Sequence, residues 1–401
     1  MINSLPNIIN PIDLEVIPIE RSDTIPSAWY HDPQMLLIEN AAVFSKEWQL
    51  VGHVNQLREP GSSICLAIAD NPVIVIHDGT SNHEGTTAHD ELANHDGKAV
   101  RNRTGPAASD FSHIRAFYNV CKHRGGPLSV KHGTRSVLQC QYHGWTYKSD
   151  GSLRGVPHFN HVELFDKKDF GLTPIRLSIW QGLIFVNLNE KSPELSQVLD
   201  GIEQRIHPID LRNMQYHTRT VDEINCNWKV YVDNFLEGYH IPIVHPELAK
   251  LLDYSQYVTE ISEQYSLQYS PFSDTSADNP YQAADGEAWY YFVYPNIMLN
   301  ILPGRLQTNI IEPMGPDKCR VIFDFYYTDL AKAEASGLLE SDRKYSAEIQ
   351  QEDIEICEQV QKGLRSNAYD KGRFSVEREL GVWHFQSKMK KSLSKLMNNA
   401  P

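Results

Sequence analysis

The chain has little positive charge. Over 401 residues, 37 Lys and Arg stand against 51 Asp and Glu, a formal net charge of −14. No run of Lys or Arg offsets this balance, so nucleic-acid phosphates would be repelled, which argues against a nucleic-acid partner. No apolar stretch approaches the ~18 residues of a membrane-spanning helix, so no membrane association is expected. Met1 to Glu20 holds no basic residue and no continuous apolar segment, and does not read as an export signal. Cysteines are few: Cys65, Cys121, Cys140, Cys226, Cys319 and Cys357. Six are too sparse for a disulfide framework. Without an export signal a reducing, cytoplasmic location is expected, and cysteines with histidines beside them read as metal ligands. There is no internal repeat. Aromatic residues, 10% of the chain, are spread along most of it, which excludes collagen, coiled-coil and disordered classes.

The length suggests two or three domains. Residues 1–44 read as an N-terminal arm, with a short helix opened by Asp32-Pro33. Residues 45–174 read as an all-β domain. Trp48 to Val54 alternates, Val73 to Ile76 ends at the turn pair Asp78-Gly79, and Asp150-Gly151 turns a hairpin. A polar segment, 80–113, interrupts this domain. It contains His83, His89 and His95 and reads as a solvated insertion. Residues 175–401 read as an α+β domain, with strands from Ala288 to Tyr327 and helices over about 341–364 and from about Val376.

Two constellations carry chemistry. The first is Cys121-Lys122-His123 with Cys140-Gln141-Tyr142-His143. Two thiolates and two imidazoles can hold one Zn²⁺, or a [2Fe–2S] cluster with thiolates on one iron and imidazoles on the other. The context favours the cluster. Each His accompanies its own Cys, expected on a β-hairpin tip, and Gly125-Gly126-Pro127 and Gly144-Trp145 follow. The glycines let backbone N–H groups approach bridging sulfides.

The second runs from Asp233 to Pro246. His240 and His245 are five apart, a spacing that a regular helix would not align, and Pro242 is expected to bend the backbone so that they converge. Glu237 lies one helical turn before His240, within reach of its second ring nitrogen. In the later helix the apolar stripe is Ile356, Cys357, Val360 and Leu364. Asp353 falls on that stripe, while Glu352, Glu355 and Glu358 lie mostly off it. A buried carboxylate requires a partner, which a salt bridge or a metal can supply, and the two histidines favour the metal. Two His and one Asp make the facial triad of non-haem Fe(II) sites, which leaves positions open for O₂ and substrate.

With these motifs the chain resembles the Rieske non-haem iron oxygenases, large (alpha) subunits of the ring-hydroxylating type. Within that family it is similar to the choline, glycine betaine and carnitine monooxygenase branch. The branch features are Glu237, Tyr294-Pro295-Asn296 with Pro303-Gly304, and Glu352-Asp353 leading to Val360-Gln361-Lys362-Gly363-Leu364. The resemblance implies an α+β protein with an all-β Rieske domain and a helix-grip catalytic domain on which the arm packs. It implies Cys121, His123, Cys140 and His143 on the cluster, and His240, His245 and Asp353 on a mononuclear Fe(II). It further implies a head-to-tail homotrimer in which Glu237 bridges His240 and His143 of the next subunit, and electrons from NAD(P)H through a separate flavin/iron–sulfur reductase.

Trp289 to Tyr294 is a dense aromatic strand. Trp289 and Tyr291 share one face, and together with Tyr239 they are the expected pocket rings for a quaternary ammonium held by cation–π attraction. The expected activity is an O₂-dependent monooxygenation of such a substrate. An aromatic ring dioxygenase and a non-catalytic Rieske electron carrier are the alternatives. A carrier would need no mononuclear iron.

Overall fold

The computed structural model describes residues 8–79, 111–128, 133–134, 137–251, 254–271 and 287–398. The expected insertion therefore lies outside the described residues, save for Phe111, Ser112 and His113. The chain forms two compact units, Val51–Ile179 and Met1–Leu50 with Trp180–Pro401.

The smaller unit is built of short antiparallel strands. After β1 (Gln49–His53), β2 (Ser62–Ile68), β3 (Asn71–His77), β4 (Ile114–Tyr118) and β5 (Gly133–Thr134) form a sheet in the order β4-β3-β2-β5. The β2–β3 turn places Ala69 and Asp70 at positive φ, as a two-residue type I′ hairpin requires. The Asn71 amide fixes it by donating to the Ile68 and Ala69 carbonyls. A second sheet joins β6 (Leu138–Gln139), β7 (Thr146–Tyr147) and β8 (Leu153–Gly155). The Asp150-Gly151 turn falls between β7 and β8. Gly151 has φ +85°, and a Cβ there would sit 2.5 Å from the Phe117 ring, so both conformation and space demand glycine. Phe117, Leu128, Leu138, Trp145 and Tyr147 form the core beneath the two cysteine loops.

Strands β9 (Arg176–Trp180) and β10 (Leu183–Asn187) follow where the chain passes from the smaller unit to the larger. The larger unit is organised by a seven-stranded antiparallel sheet. Its strands are β11 (Gln215–Ile224), β12 (Val258–Ile261), β13 (Tyr265–Pro271), β14 (Glu287–Val293), β15 (Ile297–Leu302), β16 (Arg305–Gly315) and β17 (Lys318–Tyr327), in the order β11-β17-β16-β15-β14-β13-β12. One face is apolar. Tyr291, Leu299, Leu306, Ile310 and Tyr326 pack there with Leu195, Leu199 and Ile202. The other face meets the long helix Leu338–Leu364 through side chains such as Gln307, which donates to Ser346 at 3.0 Å.

The arm is part of this unit. Asp32 caps the helix Pro33–Glu39 by accepting from Gln34 N–H. Glu39, 1% exposed, accepts from Trp228 Nε1 at 2.7 Å and pairs with Lys229 Nζ at 2.5 Å. Those partners open the helix Trp228–Phe235, which Asn227 caps. A buried pair of this kind is costly to break on one side, so the arm and that helix are held in one arrangement.

Candidate metal centres and substrate cavity

The two cysteine loops have the same construction. The Cys121 carbonyl accepts from Gly125 N–H and the Cys140 carbonyl from Gly144 N–H, each at 3.0 Å. Both glycines have φ +74°, a conformation that side-chain-bearing residues rarely adopt. The loops are tied together where Gln141 N–H donates to the Pro127 carbonyl. Their settings differ from expectation in one respect. The Cys140 loop is a hairpin tip between β6 and β7, but the Cys121 loop follows β4 and leads to β5, which pairs with β2 instead.

The His123 and His143 rings lie 4.7 Å apart, and His123 stacks on Trp145. Cys121 and Cys140 are almost fully buried, whereas His143 is exposed. His123 Nδ1 is buried without a hydrogen-bond partner. A Cβ on Gly126 would come within 2.7 Å of Cys140 Sγ, so this glycine keeps the space beside the sulfur open. Tyr147 Oη accepts from Lys122 N–H and lies 3.2 Å from Cys121 Sγ, positioned to donate its proton to a thiolate. Two buried sulfurs, an orphaned ring nitrogen and an open cradle fit a [2Fe–2S] cluster with mixed ligands.

The second centre is assembled from two helices. After Phe235 the chain bends through Glu237-Gly238-Tyr239, where a Gly238 Cβ would strike the Tyr257 ring at 2.7 Å. A one-turn helix, Ile241–Val244, follows, with His240 and His245 at its two ends. Pro242 does not bend this segment. It occupies the first turn, where its missing N–H is no loss, and the single turn itself brings the imidazoles together. Their centroids are 5.1 Å apart.

Asp353 projects from the long helix. Its Oδ1 lies 2.9 Å from His245 Nε2 and 3.9 Å from His240 Nε2, and accepts from Asn234 Nδ2 at 2.7 Å. The three ligand atoms fall within 4.8 Å of one another, the one such His, Cys, Asp and Glu grouping among the described residues. Each imidazole is held from behind by a carboxylate. His240 Nδ1 contacts Glu237 Oε1 at 2.7 Å, and His245 Nδ1 contacts Glu352 Oε2 at 2.7 Å. Ionised carboxylates only accept, so each Nδ1 carries a proton to its acid and each Nε2 turns to the common point, where His245 Nε2 holds a second proton to Asp353 that a bound metal would displace. Burial disfavours the charged form of His245, but hydrogen bonds to Asp353 and Glu352 outweigh it and raise its pKa. The donor set suits a divalent iron with open positions.

Glu237 reaches His240 as expected but by a different geometry, and Glu352 escaped the sequence reading. Glu237 is not on a helical turn. It caps the bend, accepting from the backbone N–H groups of Tyr239 and His240 as well as from the ring. Glu352, set aside as off the buried stripe, is the partner of His245. Adjacent helix residues point about 100° apart, so Glu352 and Asp353 reach two sides of one imidazole. The adjacent acids at 352–353 were the available signal.

Beside His240, His245 and Asp353 lies a cavity of about 160 Å³. Rings from Tyr231, Phe235, Tyr257, Tyr290, Phe323 and Tyr345 line it. The expected pocket rings are corrected here. Tyr291 is 1% exposed in the core on the opposite face of the sheet, and Trp289 packs against that core. Their neighbour Tyr290 is the β14 ring that faces the cavity. Tyr239 is 58% exposed and outside the cavity lining.

Comparison with known proteins agrees with both centres. Residues 47–166 match the Rieske [2Fe–2S] domain, and residues 211–395 match the ring-hydroxylating alpha subunit catalytic domain. The chain is 32% identical over 381 residues to the chloroplastic choline monooxygenase of Arabidopsis thaliana, covering 92% of this chain and 83% of that one. The chain belongs to the Rieske ring-hydroxylating oxygenases. It is also 29% identical over 379 residues to the carnitine monooxygenase oxygenase subunit of Acinetobacter baumannii, covering 90% of this chain and 93% of the other. The crystal structure of the quaternary ammonium Rieske monooxygenase CntA in complex with its substrate L-carnitine superposes with a TM-score of 0.74 at 26% identity, covering 98% of this chain and 99% of that chain. As a Rieske oxygenase, the chain is an enzyme that uses the [2Fe–2S] cluster, mononuclear iron and O₂, and the electron-carrier alternative falls away. No helix among the described residues is long and apolar enough to cross a membrane.

Proposed function

We propose that this Rieske oxygenase hydroxylates a C–H bond beside the quaternary nitrogen of a small quaternary ammonium compound. The observation that carries this reading is the aromatic cavity next to His240, His245 and Asp353. A cation over an aromatic face gains about 0.5–2 kcal/mol per ring, and several rings enclose one small space. A cavity of about 160 Å³ is close to the engineered ~150 Å³ cavity that takes a single benzene, so a compact substrate suits it better than a fused ring system. The choline- and carnitine-oxidising relatives support the same class.

In the proposed reaction, substrate R–H, O₂, two electrons and two protons give R–OH and water. The cofactors supply electron storage and O₂ activation. The chain's own residues do the rest. Cys121, His123, Cys140 and His143 hold the cluster, with Tyr147 donating to the Cys121 sulfur. His240, His245 and Asp353 hold the iron. Glu237 and Glu352 fix the two imidazoles, and the rings hold the substrate cation. The proposal includes a homotrimer in which the exposed His143 of one subunit meets Glu237 of the next, and a separate flavin/iron–sulfur reductase that draws electrons from NAD(P)H.

The test is an assay of the iron-loaded enzyme with a surrogate reductase against quaternary amines and simple aromatics. O₂ uptake matched by loss of a quaternary amine supports the proposal. Diol formation from an arene, with quaternary amines untouched, would replace it with a ring dioxygenase.

A further inference from the structure

The sheet face that borders the cavity is more polar than a buried face should be. The register aligns Gln268, Tyr290, Asn300 and Gln307 in one row across β13, β14, β15 and β16. Asn309 lies one pair further along β16, opposite Met298. The reverse face of the same strands is apolar core. Buried amides demand hydrogen-bond partners. Gln268 has them in the Phe235 carbonyl and the Tyr257 hydroxyl. Gln307 has them in Arg305 and Ser346.

Asn300 does not. Its Oδ1 is buried with no partner, as are Asn309 Oδ1 on the same sheet and Tyr345 Oη on the long helix, all three in the cavity lining. The orientation of the Asn300 amide is set by a relay. Arg305 has only donors, so the Gln307 atom that takes its hydrogen bond must be Oε1. That oxygen also accepts from Asn300 Nδ2 at 3.4 Å, which leaves Oδ1 as the orphan. The wall therefore presents an acceptor of fixed identity. Asn309 is less constrained, since its Nδ2 meets only Met298 Sδ at 3.9 Å.

We infer that the substrate of this cavity is a quaternary ammonium compound that carries a hydroxyl group, whose proton is donated to Asn300 Oδ1. This rests on the proposed quaternary amine reading and narrows it. A hydroxyl both donates and accepts, so it also suits Tyr345 or Asn309. A carboxylate offers acceptors only and would face the Asn300 oxygen without a proton between them. The nearby Arg305 does not alter this, because its charge is already met by the buried Asp342 at 2.6 Å. A plain alkylammonium or an arene leaves the orphaned atoms desolvated and unpaired.

The experiment is calorimetric titration of the anaerobic, iron-loaded enzyme with choline, choline methyl ether and tetramethylammonium. The methyl ether keeps the cation and the acceptor oxygen and loses only the donor. Choline is expected to bind about tenfold more tightly than the ether, the scale of one hydrogen bond and one relieved acceptor. In Asn300→Leu that gap should close, with tetramethylammonium affinity unchanged. Equal binding of choline and the ether by the native enzyme overturns the hydroxyl assignment, and that comparison needs no variant to fold. Asn300→Leu weakening all three ligands alike overturns it as well. Failure of all three cations to bind removes the quaternary amine reading and this inference together. Binding of tetramethylammonium with no preference for the hydroxyl removes this inference alone.

Discussion

The two metal centres are built by opposite strategies. At the Rieske loops each cysteine has its histidine within three residues, and the backbone does the positioning through two left-handed glycines and matching carbonyl turns. At the proposed iron site His245 and Asp353 are 108 residues apart, and helices and carboxylates do the positioning. A local site tolerates changes elsewhere in the fold but not in its turn residues. A site shared between helices depends on every group that orients its ligands.

Four experiments break or sharpen that contrast. The largest effect is expected from Asp353→Ala, which removes a ligand from the helical site only. Mononuclear iron and turnover should be lost while the visible spectrum of the cluster persists. Loss of both centres from a folded variant would show that they are not independent. Glu237→Gln keeps the shape of the bend and removes the charge behind His240. The cluster should remain, iron should bind about 10–100-fold more weakly, and turnover should stop even at saturating iron; near-normal turnover with reductase would remove Glu237 from the proposed electron path. Glu352→Gln should weaken iron binding by about 10–100-fold, the usual cost of losing the partner behind a metal-bound histidine, with the cluster content unchanged. Iron affinity equal to the native protein would make Glu352 incidental.

The smallest effect concerns the helix that leads into the site. Burial lifts the Asp233 pKa to about 7, against opposing hydrogen bonds from Tyr30 and Gln386. A raised carboxylate pKa gives a stability contribution that is complete below the ordinary value of ~4 and is lost as pH rises through about 7. Asp233→Asn should therefore gain in melting temperature relative to the native protein as pH goes from 5 to 8. A constant difference across that range would contradict the assignment.

The same contrast governs what could be read from the sequence. The pairing of the two cysteine–histidine loops was legible because their spacing and glycines are local. The His240, His245 and Asp353 triad was legible because a short turn and one helical stripe carry it. Pro242 was given the wrong task, since whether a proline bends a helix or starts one depends on where the helix begins. Glu352 was missed because a stripe defined by apolar residues says little about a residue at its edge. The cavity rings were assigned to the wrong face of β14. That strand is largely buried on both sides, so its sequence shows no polar–apolar alternation to separate them, and only the register with Gln268 and Asn300 does. The polar insertion falls outside the described residues.

The most direct measurement is iron and zinc per chain in anaerobically purified protein, with the EPR spectrum of the dithionite-reduced form. A two-centre oxygenase requires about three irons per chain and the low average g-value of a histidine-ligated cluster. Zinc in place of iron, without that signal, would contradict the assignment of both centres and the proposed reaction with them.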